Sequence, residues 1–369
     1  MSDPTIIHAA GDGDTELSKQ YDTPLGLAHT TMQALKDRIR LHYDLASDYY
    51  LNLWGEHIHH GYWPDDASKA TDTKETAQIN LIHLLLNISS IQPSPDSTAT
   101  SASPPAPALR ILDVGCGIGG TSRHLASSLG ATVTGITISG KQVQIATRLA
   151  KSASASSSTP TADNEAAHDG FIPVGDKGGK VRFIELDAEK MGEYFSPSSS
   201  SSSSSEPSGD ANGVRTGGEF DVVWITEALS HLPNKALFFR NAHQLLRPGG
   251  KLVLADWFKA EALGEAKFEA DIKPIEDGML LPPLCTQPEY AQLAKDAGLE
   301  VFGEGPKDIS KHVSKTWDIS WSLVQNPSLW AFAFSQGRDG IAFLQAFRAM
   351  RRGYANGSFR YAVMAFLKP

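Results

Sequence analysis

Cysteine is scarce in this chain, and so are long apolar runs. Cys116 and Cys285 are the two cysteines among 369 residues, and two thiols cannot by themselves form a disulfide framework or a thiolate metal site. We therefore expect a reducing compartment and a cytoplasmic location. The longest apolar runs, such as 84–86 and 329–334, are far shorter than the roughly 20 residues that span a bilayer. Residues 1–14 contain three aspartates and no apolar segment, which predicts that no signal peptide is present.

An excess of basic residues is also lacking. Lysine and arginine number 33, aspartate and glutamate 42, and the net charge is −9. Such a balance excludes a basic footprint for nucleic acid and a polybasic attachment to an anionic membrane. Hydrophobic residues make up 41% of the chain, which is enough for a sizeable core. The composition thus predicts a globular protein without a nucleic-acid partner and without stable membrane insertion.

Three segments, 89–108, 152–179 and 196–218, are rich in small and polar residues. They offer too little apolar surface to offset the entropy lost on ordering, so we interpret them as flexible insertions that the protein can lose. We also predict a disordered N-terminus at 1–28. The remainder, 29–369, is predicted to form a single domain. Its parts are a helical cap at 29–88, a ligand-binding core at 109–257, and an acceptor cap with the last strands at 258–369.

Strand and helix patterns alternate through the core. Short apolar runs predict strands, and amphipathic segments between them predict helices. The alternation indicates an α/β fold with a doubly wound, mostly parallel sheet of seven strands. Helical patterns at 29–54, 73–88 and 309–353 are predicted to cap the carboxyl ends of the strands, and 358–367 is predicted to close the sheet as an edge strand. The strands are predicted at 109–114, 131–136, 181–186, 220–225 and 251–256, and the segment 299–302 is also predicted to be extended.

A glycine-rich loop follows the first predicted strand. Gly115, Gly117 and Gly120 satisfy the G-x-G-x-x-G spacing of dinucleotide sites, which is a weak signal alone. Asp113 stands before the first glycine, where it would repel a pyrophosphate and attract an amino group. An NAD(P)-dependent oxidoreductase remains the alternative, although no acidic residue stands about 20 positions further on to bind the ribose. A glycine-rich turn without a ligand is a third interpretation.

Several motifs resemble one enzyme superfamily. D-V-G-C-G-I-G at 113–119 and L-R-P-G-G-K at 246–251 resemble class I S-adenosylmethionine-dependent methyltransferases. H-Y-D-L-A-S-D-Y-Y at 42–50 and W-G-E-H-I-H-H-G-Y-W at 54–63 are similar to the gamma-tocopherol methyltransferase and sterol 24-C-methyltransferase-like group. The resemblance runs from 29 to 369 outside the insertions. It implies a Rossmann-like fold, S-adenosyl-L-methionine as cofactor, and methyl transfer to O, N or C of a lipophilic or aromatic small molecule in specialised metabolism.

The resemblance also implies a set of cofactor-binding residues. Many relatives in the superfamily end the second strand in an acidic residue that holds the ribose, but Thr137 stands there in this chain. Ribose binding would then rest on Thr137, Ser139, Gln142 and backbone groups. The resemblance also implies that Asp187 and Ala188 contact the adenine, and in the alternative interpretation Asp187 is a helix N-cap. The complete predicted set is Tyr43, Asp113, Gly115, Cys116, Gly117, Gly119, Thr137, Ile138, Gln142, Asp187 and Ala188.

Two residues are candidates for catalysis. His231 follows the fourth predicted strand of the core, where a neutral imidazole could remove the proton of a hydroxyl acceptor. The alternative is that His231 caps a helix or supports a residue that itself contacts the ligand. Glu227 lies nearer the strand end and could hold the cofactor or the acceptor. A protein that binds S-adenosylmethionine without turnover is a further alternative for the whole chain.

Histidines cluster at 57–60. Glu56, His57, His59 and His60 could bind a metal only if their side chains converge. The resembling signature carries the same histidine pair without a metal, so we predict none. Tyr43, Tyr49, Tyr50 and Trp63 could face the cationic sulfur of the cofactor, and ordinary packing is the alternative for them.

Overall fold

A nine-stranded sheet runs through the computed structural model, which describes residues 32–93, 107–157, 170–196, 220–324 and 338–369. The strand order is β3-β4-β2-β1-β5-β6-β9-β7, and β8 pairs with β9. The strands are β1 (Arg110–Val114), β2 (Thr132–Thr137), β3 (Ile172–Val174), β4 (Gly179–Glu185), β5 (Phe220–Thr226), β6 (Leu246–Lys259), β7 (Glu300–Val301), β8 (Lys307–Asp308) and β9 (Phe359–Leu367). The predicted N-terminal disorder at 1–28 and the serine run at 198–205 lie outside the described residues.

The prediction of a mostly parallel sheet is confirmed. β4, β2, β1, β5 and β6 pair in parallel, because their short apolar runs are buried beneath helices on both faces. The chain moves from β1 outwards through β2 to β4 and then returns to β5 on the other side of β1. Open α/β sheets bind ligands at such a reversal, outside the carboxyl ends of the strands. The crevice between β1 and β5 is therefore the place to look for the site.

Helices cover both faces of the sheet. Leu81, Ile82 and Leu85 of α3 pack on one face with Leu125 and Leu129 of α4. The other face is covered by α7 and α10. The helices are α1 (Met32–Trp54), α2 (Asp66–Thr71), α3 (Lys74–Ile88), α4 (Gly120–Leu129), α5 (Gly140–Ser157), α6 (Met191–Phe195), α7 (Lys235–Leu245), α8 (Glu265–Lys267), α9 (Lys273–Gly278), α10 (Gln287–Asp296), α11 (Ser310–Val313), α12 (Lys315–Val324) and α13 (Arg338–Asn356). None of the described helices is both long and apolar enough to cross a bilayer.

The last strand is not at the edge of the sheet. β9 pairs antiparallel with β6 on one side and with the two-residue strands β7 and β8 on the other. β8 is solvent-exposed and carries no apolar run that would reveal it in the sequence, whereas β7 lies within the predicted extended segment 299–302. β8 and the hairpin strand β3 raise the strand count from the predicted seven to nine. β3 also lies inside the segment 152–179 that was predicted to be a flexible insertion.

The helices outside the alternation differ in what they cover. α3 belongs to the layer that packs on the sheet, since its apolar side chains are buried there. α1 reaches the carboxyl ends of the strands: Lys36 contacts Asp187 after β4, and Asp44 contacts Ser139 after β2. α12 and α13 bring aromatic side chains to the same end of the sheet. α1, α12 and α13 therefore supply the cap.

Candidate active site

The loop between β1 and α4 forms one wall of a cleft at the β1–β5 crevice. The cleft opens to solvent and has an enclosed volume of about 40 Å³. Four of the predicted cofactor residues line it, namely Asp113, Gly115, Cys116 and Gly117. Residues that the sequence did not assign to the cofactor also line it, among them Glu56, His57, Ile58, His59 and Thr226.

The second wall comes from the segment between α1 and α2. A side-chain Cβ at Gly120 would lie 2.1 Å from the backbone oxygen of Glu56, so the close approach of this segment to the start of α4 requires glycine. Arg123 fixes the contact because its Nη2 donates to Glu56 Oε2 at 2.7 Å. The third glycine of the motif thus serves packing, whereas Gly117 has open space at its Cβ position.

Asp113 places a carboxyl group at the bottom of the cleft. Its side chain is buried, and Ser122 Oγ donates to Asp113 Oδ2 at 2.5 Å. Burial raises the pKa of Asp113 to about 7, although the bond from Ser122 opposes the rise. An ammonium group in the cleft would stabilise the ionised form and lower this pKa. The site therefore favours a ligand that carries a cationic amino group.

His59 presents an unused hydrogen-bond acceptor to the same cleft. Its Nδ1 lies 2.9 Å from the backbone oxygen of His60. A carbonyl oxygen can only accept, so Nδ1 carries the proton and Nε2 holds a lone pair. Nε2 is buried and has no hydrogen-bond partner among the described residues, and burial is the main cause that lowers the pKa of His59. The imidazole is thus a neutral acceptor beside Asp113, which suits an amino group.

The histidines at this wall form a ring cluster rather than a ligand shell. The rings of His57 and His59 are 5.5 Å apart, and those of His57 and His124 are 6.4 Å apart. Burial lowers the pKa of His57 to about 3 and that of His124 to about 4. Among the described residues, no three His, Cys, Asp or Glu side chains are arranged to hold a metal ion.

The predicted ribose group lies at the end of β2, beside the cleft. Thr137 Oγ1 donates to Gln142 Oε1 at 2.6 Å, and both side chains are buried. Ser139 Oγ donates to Asp44 Oδ1 at 2.5 Å, which ties α1 to this loop. Ile138 is half-buried between them. The polar side chains of this group already hydrogen-bond to one another or to Asp44, so a ribose would contact them at the edge of an existing hydrogen-bond network.

The predicted adenine group lies at the end of β4. Asp187 is the N-cap of a short 3₁₀ helix, where its side chain accepts from the backbone N–H of Glu189, and this agrees with the alternative interpretation from the sequence. Lys36 of α1 also donates to Asp187, at 2.8 Å. Ala188 is half-buried beside them. Gly119 begins α4 and packs against Phe183, outside the cleft lining.

His231 and Tyr43 meet on the far side of the crevice. His231 ends a 3₁₀ turn after β5, and its Nε2 is 3.5 Å from the Tyr43 hydroxyl. Burial, together with the charge of Glu227, raises the pKa of Tyr43 to about 12. Lys235 lies beneath the turn and donates to the backbone oxygens of Ser230, at 3.2 Å, and Leu232, at 3.1 Å. The turn that carries His231 is therefore held on both sides.

Glu227 makes three hydrogen bonds from a left-handed backbone conformation. Its φ is +53°, which is uncommon for a residue with a side chain and tends to occur at functional sites. Oε1 accepts from the His60 backbone N–H at 2.6 Å, from His60 Nδ1 at 2.9 Å and from the Tyr361 hydroxyl at 2.7 Å. Burial raises the pKa of Glu227, but the charge and bonds of His60 outweigh it and leave this pKa below its usual value.

The sequence-predicted residues therefore lie at the same edge of the sheet but in separate groups. Asp113 and the loop glycines share the cleft with His57, His59 and Thr226, whereas Glu227 joins His60 and Tyr361. The sequence assigns the segment 57–60 to the resembling motif 54–63 but predicts no role for its side chains beyond metal binding, which it disfavours. Its motif could have indicated a cofactor role, but no local pattern shows that it folds back onto the glycine loop. Trp63, considered for the cofactor's sulfur, is fully buried near Lys315.

The comparisons with known proteins agree with this geometry. A family model described as "Methyltransferase domain" matches residues 76–303. The chain is 26% identical over 355 residues to the chloroplastic tocopherol O-methyltransferase of Arabidopsis thaliana, with 93% of this chain and 85% of that protein covered. It is 29% identical over 276 residues to the 27-O-demethylrifamycin SV methyltransferase of Amycolatopsis mediterranei, with 74% and 77% covered.

A solved structure shares the fold. Mycolic acid cyclopropane synthase CmaA1, complexed with SAH and CTAB, superimposes with a TM-score of 0.63 over 90% of this chain and 98% of its own. The sequence identity is 19%, so this likeness concerns the fold alone.

Proposed function

The chain belongs to the methyltransferase domain family and is an S-adenosylmethionine-dependent methyltransferase, and we propose that it methylates a hydroxyl group of a lipophilic, aromatic small molecule. The observation that carries the proposal is the cleft beside the glycine loop, where Asp113 and His59 offer buried acceptors. Two imidazoles and several aromatic rings lie at its edge. The relatives named for tocopherol and demethylrifamycin support an oxygen acceptor.

The residues of the cleft fit the cofactor. Asp113 and His59 would hold its amino group, and the open space at Gly117 would let the ligand approach the backbone. Thr137, Ile138 and Gln142 would lie along the ribose, with Asp187 and Ala188 towards the adenine. When bound, S-adenosylmethionine supplies a methyl group on a positively charged sulfur, for which Tyr43 offers an aromatic face.

The protein must also remove a proton if the acceptor is a hydroxyl. Glu227 and His231, the two residues named from the sequence, both belong to this edge. Two imidazoles, those of His231 and His60, are candidates for the base, and Glu227 would act through the one that it orients. Burial of the acceptor among the aromatic side chains would exclude water from the transfer.

The type of metabolism and the cellular location are also proposals. We assign the protein to specialised metabolism and to the cytoplasm. Cys116 and Cys285 are both free thiols, as expected in a reducing compartment, and the net charge of −9 disfavours a nucleic-acid partner. Cell fractionation tests the location, since the Arabidopsis relative is named as chloroplastic.

Calorimetry followed by label transfer tests the function. The protein should bind S-adenosylmethionine and not NADPH, and it should transfer labelled methyl to tocopherol or to another hydroxyl compound in a lipophilic extract. Products methylated on nitrogen or carbon would overturn the choice of acceptor atom. Binding of NADPH alone would favour the oxidoreductase alternative, and cofactor binding without any transfer would favour a non-catalytic role.

A further inference from the structure

His60 has the surroundings of an oriented base. Glu227 Oε1 lies 2.9 Å from His60 Nδ1. The pKa of Glu227 is held below its usual value by His60 despite burial, so the carboxylate is ionised at neutral pH and can only accept. Nδ1 therefore bears the proton of this hydrogen bond, and in the tautomer with a single ring proton Nε2 holds the lone pair. A carboxylate that fixes the tautomer of an imidazole is the arrangement of an activated base.

The carboxylate itself is held firmly. Tyr361 Oη donates to Glu227 Oε1 at 2.7 Å, and the His60 backbone N–H donates to the same oxygen. Three donors on one buried oxygen fix the side chain, and Glu227 keeps a left-handed backbone that is strained for a residue with a side chain. Such strain is maintained only where the surroundings impose it. Glu227 is therefore built to orient His60.

The lone pair of His60 faces a weak partner in an aromatic enclosure. Nε2 is 3.4 Å from the Tyr354 hydroxyl, which is longer than a good hydrogen bond from a hydroxyl. The ring centroids of Tyr361, Trp317 and Trp257 lie 4.7, 5.1 and 6.1 Å from that of His60. These rings give His60 a buried, largely aromatic environment.

A buried donor beside His60 has no partner. Trp257 Nε1 is buried and makes no hydrogen bond in the part of the chain that the structure describes. An indole N–H left unpaired costs free energy, so its retention requires an explanation. A hydroxyl oxygen could accept from this N–H while its own hydrogen is donated to His60 Nε2. The second lone pair of that oxygen would remain available to receive the methyl group.

The enclosure also adjoins the cofactor cleft. His60 follows His59, and Glu227 follows Thr226; both of the preceding residues line the cleft. His60 and Glu227 are therefore each the next residue along the chain after one that lines the cleft.

We infer that His60, oriented by Glu227, is the base that takes the proton of the acceptor hydroxyl. The inference rests on the proposed function. The acceptor oxygen forms its bond to the methyl carbon, the electron pair of the broken C–S bond stays on sulfur, and the hydroxyl proton moves to His60 Nε2. The resulting imidazolium is paired with the Glu227 carboxylate. His231, the base proposed from the sequence, instead contacts Tyr43 and contributes to acceptor or cofactor placement.

Four variants test the assignment: His60→Gln, Glu227→Gln, His231→Gln and, as a matched control, His243→Gln on α7. Calorimetry compares the S-adenosylmethionine affinity of each variant with that of the parent. The acceptor is whichever compound the parent methylates among tocopherol, 2-methyl-6-phytyl-1,4-hydroquinone and 27-O-demethylrifamycin SV, and label transfer to it is then measured for each variant. His60→Gln should lower kcat by roughly a hundredfold or more and change cofactor affinity by less than about threefold.

The other variants separate positioning from chemistry. Glu227→Gln should lower kcat more than it raises the acceptor KM, because a neutral amide no longer fixes the tautomer. His231→Gln should mainly raise KM, and His243→Gln should match the parent. A hundredfold loss of kcat in His231→Gln with near-parent kcat in His60→Gln would overturn the inference. Failure of the parent to bind S-adenosylmethionine would overturn the proposed function instead.

A spectroscopic measurement needs no acceptor. Long-range ¹H–¹⁵N correlation spectra of histidine-labelled protein should show His60 protonated on Nδ1 and not on Nε2 at neutral pH. The His60 signals are assigned by their loss in His60→Gln. The fraction of His60 that is protonated on Nδ1 alone should fall in Glu227→Gln. A His60 protonated on Nε2, alone or together with Nδ1, would exclude it as the base even if none of the three probes is methylated.

Discussion

Lys36 of α1 lies 2.8 Å from Asp187, across the carboxyl edge of β4. The same ammonium is 2.6 Å from Glu189, and all three side chains are largely buried. Burial alone would lower the pKa of Lys36, but the two carboxylates outweigh it and raise this pKa. The ammonium therefore stays charged and fastens α1 over the region predicted to hold the adenine.

We expect Lys36→Met to loosen this cover. The dissociation rate of S-adenosylmethionine should rise about two- to tenfold, since a partly buried ion pair contributes on the order of 1 kcal/mol. Stopped-flow displacement of a labelled cofactor measures the rate. Lys69→Met is the matched control, because Lys69 pairs with the exposed Asp66 away from the cleft. Equal rates in parent and Lys36→Met would show that α1 does not limit release.

Gly117→Val should abolish cofactor binding and leave the fold intact. The φ of Gly117 is +55° and no atom lies within 4 Å of its Cβ position, so the new side chain would project into the cleft. Gly249→Val is a matched control, because Gly249 has a φ of +76° and similarly open surroundings in a remote turn. Calorimetry and circular dichroism on both variants separate a blocked cleft from backbone strain. Unchanged affinity in Gly117→Val would place the cofactor elsewhere.

His59→Phe should weaken binding of the amino-acid part of the cofactor. Removing a neutral acceptor from a charged donor costs about 1.5–3 kcal/mol, so the Kd for S-adenosylmethionine should rise roughly ten- to a hundredfold. The Kd for 5′-methylthioadenosine, which lacks the amino acid, should change little. If both ligands lose affinity equally, His59 shapes the wall of the cleft and does not accept from the amino group.

His124 should make the folded protein acid-sensitive. Its pKa is lowered by burial to about 4 in the folded protein, against roughly 6.5 when unfolded. Between these values the unfolded chain binds a proton that the folded chain does not, so stability falls as pH falls. The slope is about 1.4 kcal/mol per pH unit.

His124→Gln should remove that slope. Urea unfolding of the parent and the variant between pH 7 and 5 measures the difference in their free energies of unfolding. The difference is the informative quantity, because Asp113, with its raised pKa, contributes a slope of opposite sign in both proteins. Parallel curves for parent and variant would mean that His124 is solvated in the folded state.

Residues close together in the sequence determined the parallel core and the cofactor loop. β1 and the glycines after it are encoded by a short apolar run and by backbone requirements that act over ten residues, and Asp113 belongs to the same run. Local signals of this kind can be interpreted without knowledge of how the elements pack. They were sufficient to predict the α/β class and the glycine loop, whereas S-adenosylmethionine followed from the resemblance of the motifs to known methyltransferases.

Only the tertiary structure decided which side chains act together. His60 and Glu227 are 167 positions apart, and Lys36 and Asp187 are 151 apart. Neither pair is marked by a periodicity, because the contacts depend on how the segment after α1 packs against Gly120 and on the turn that follows β5. The same holds for β9, whose apolar run predicted a strand but whose place inside the sheet depends on the exposed two-residue partners β7 and β8. The alternation of side chains fixed the elements, and close packing between distant segments fixed the site.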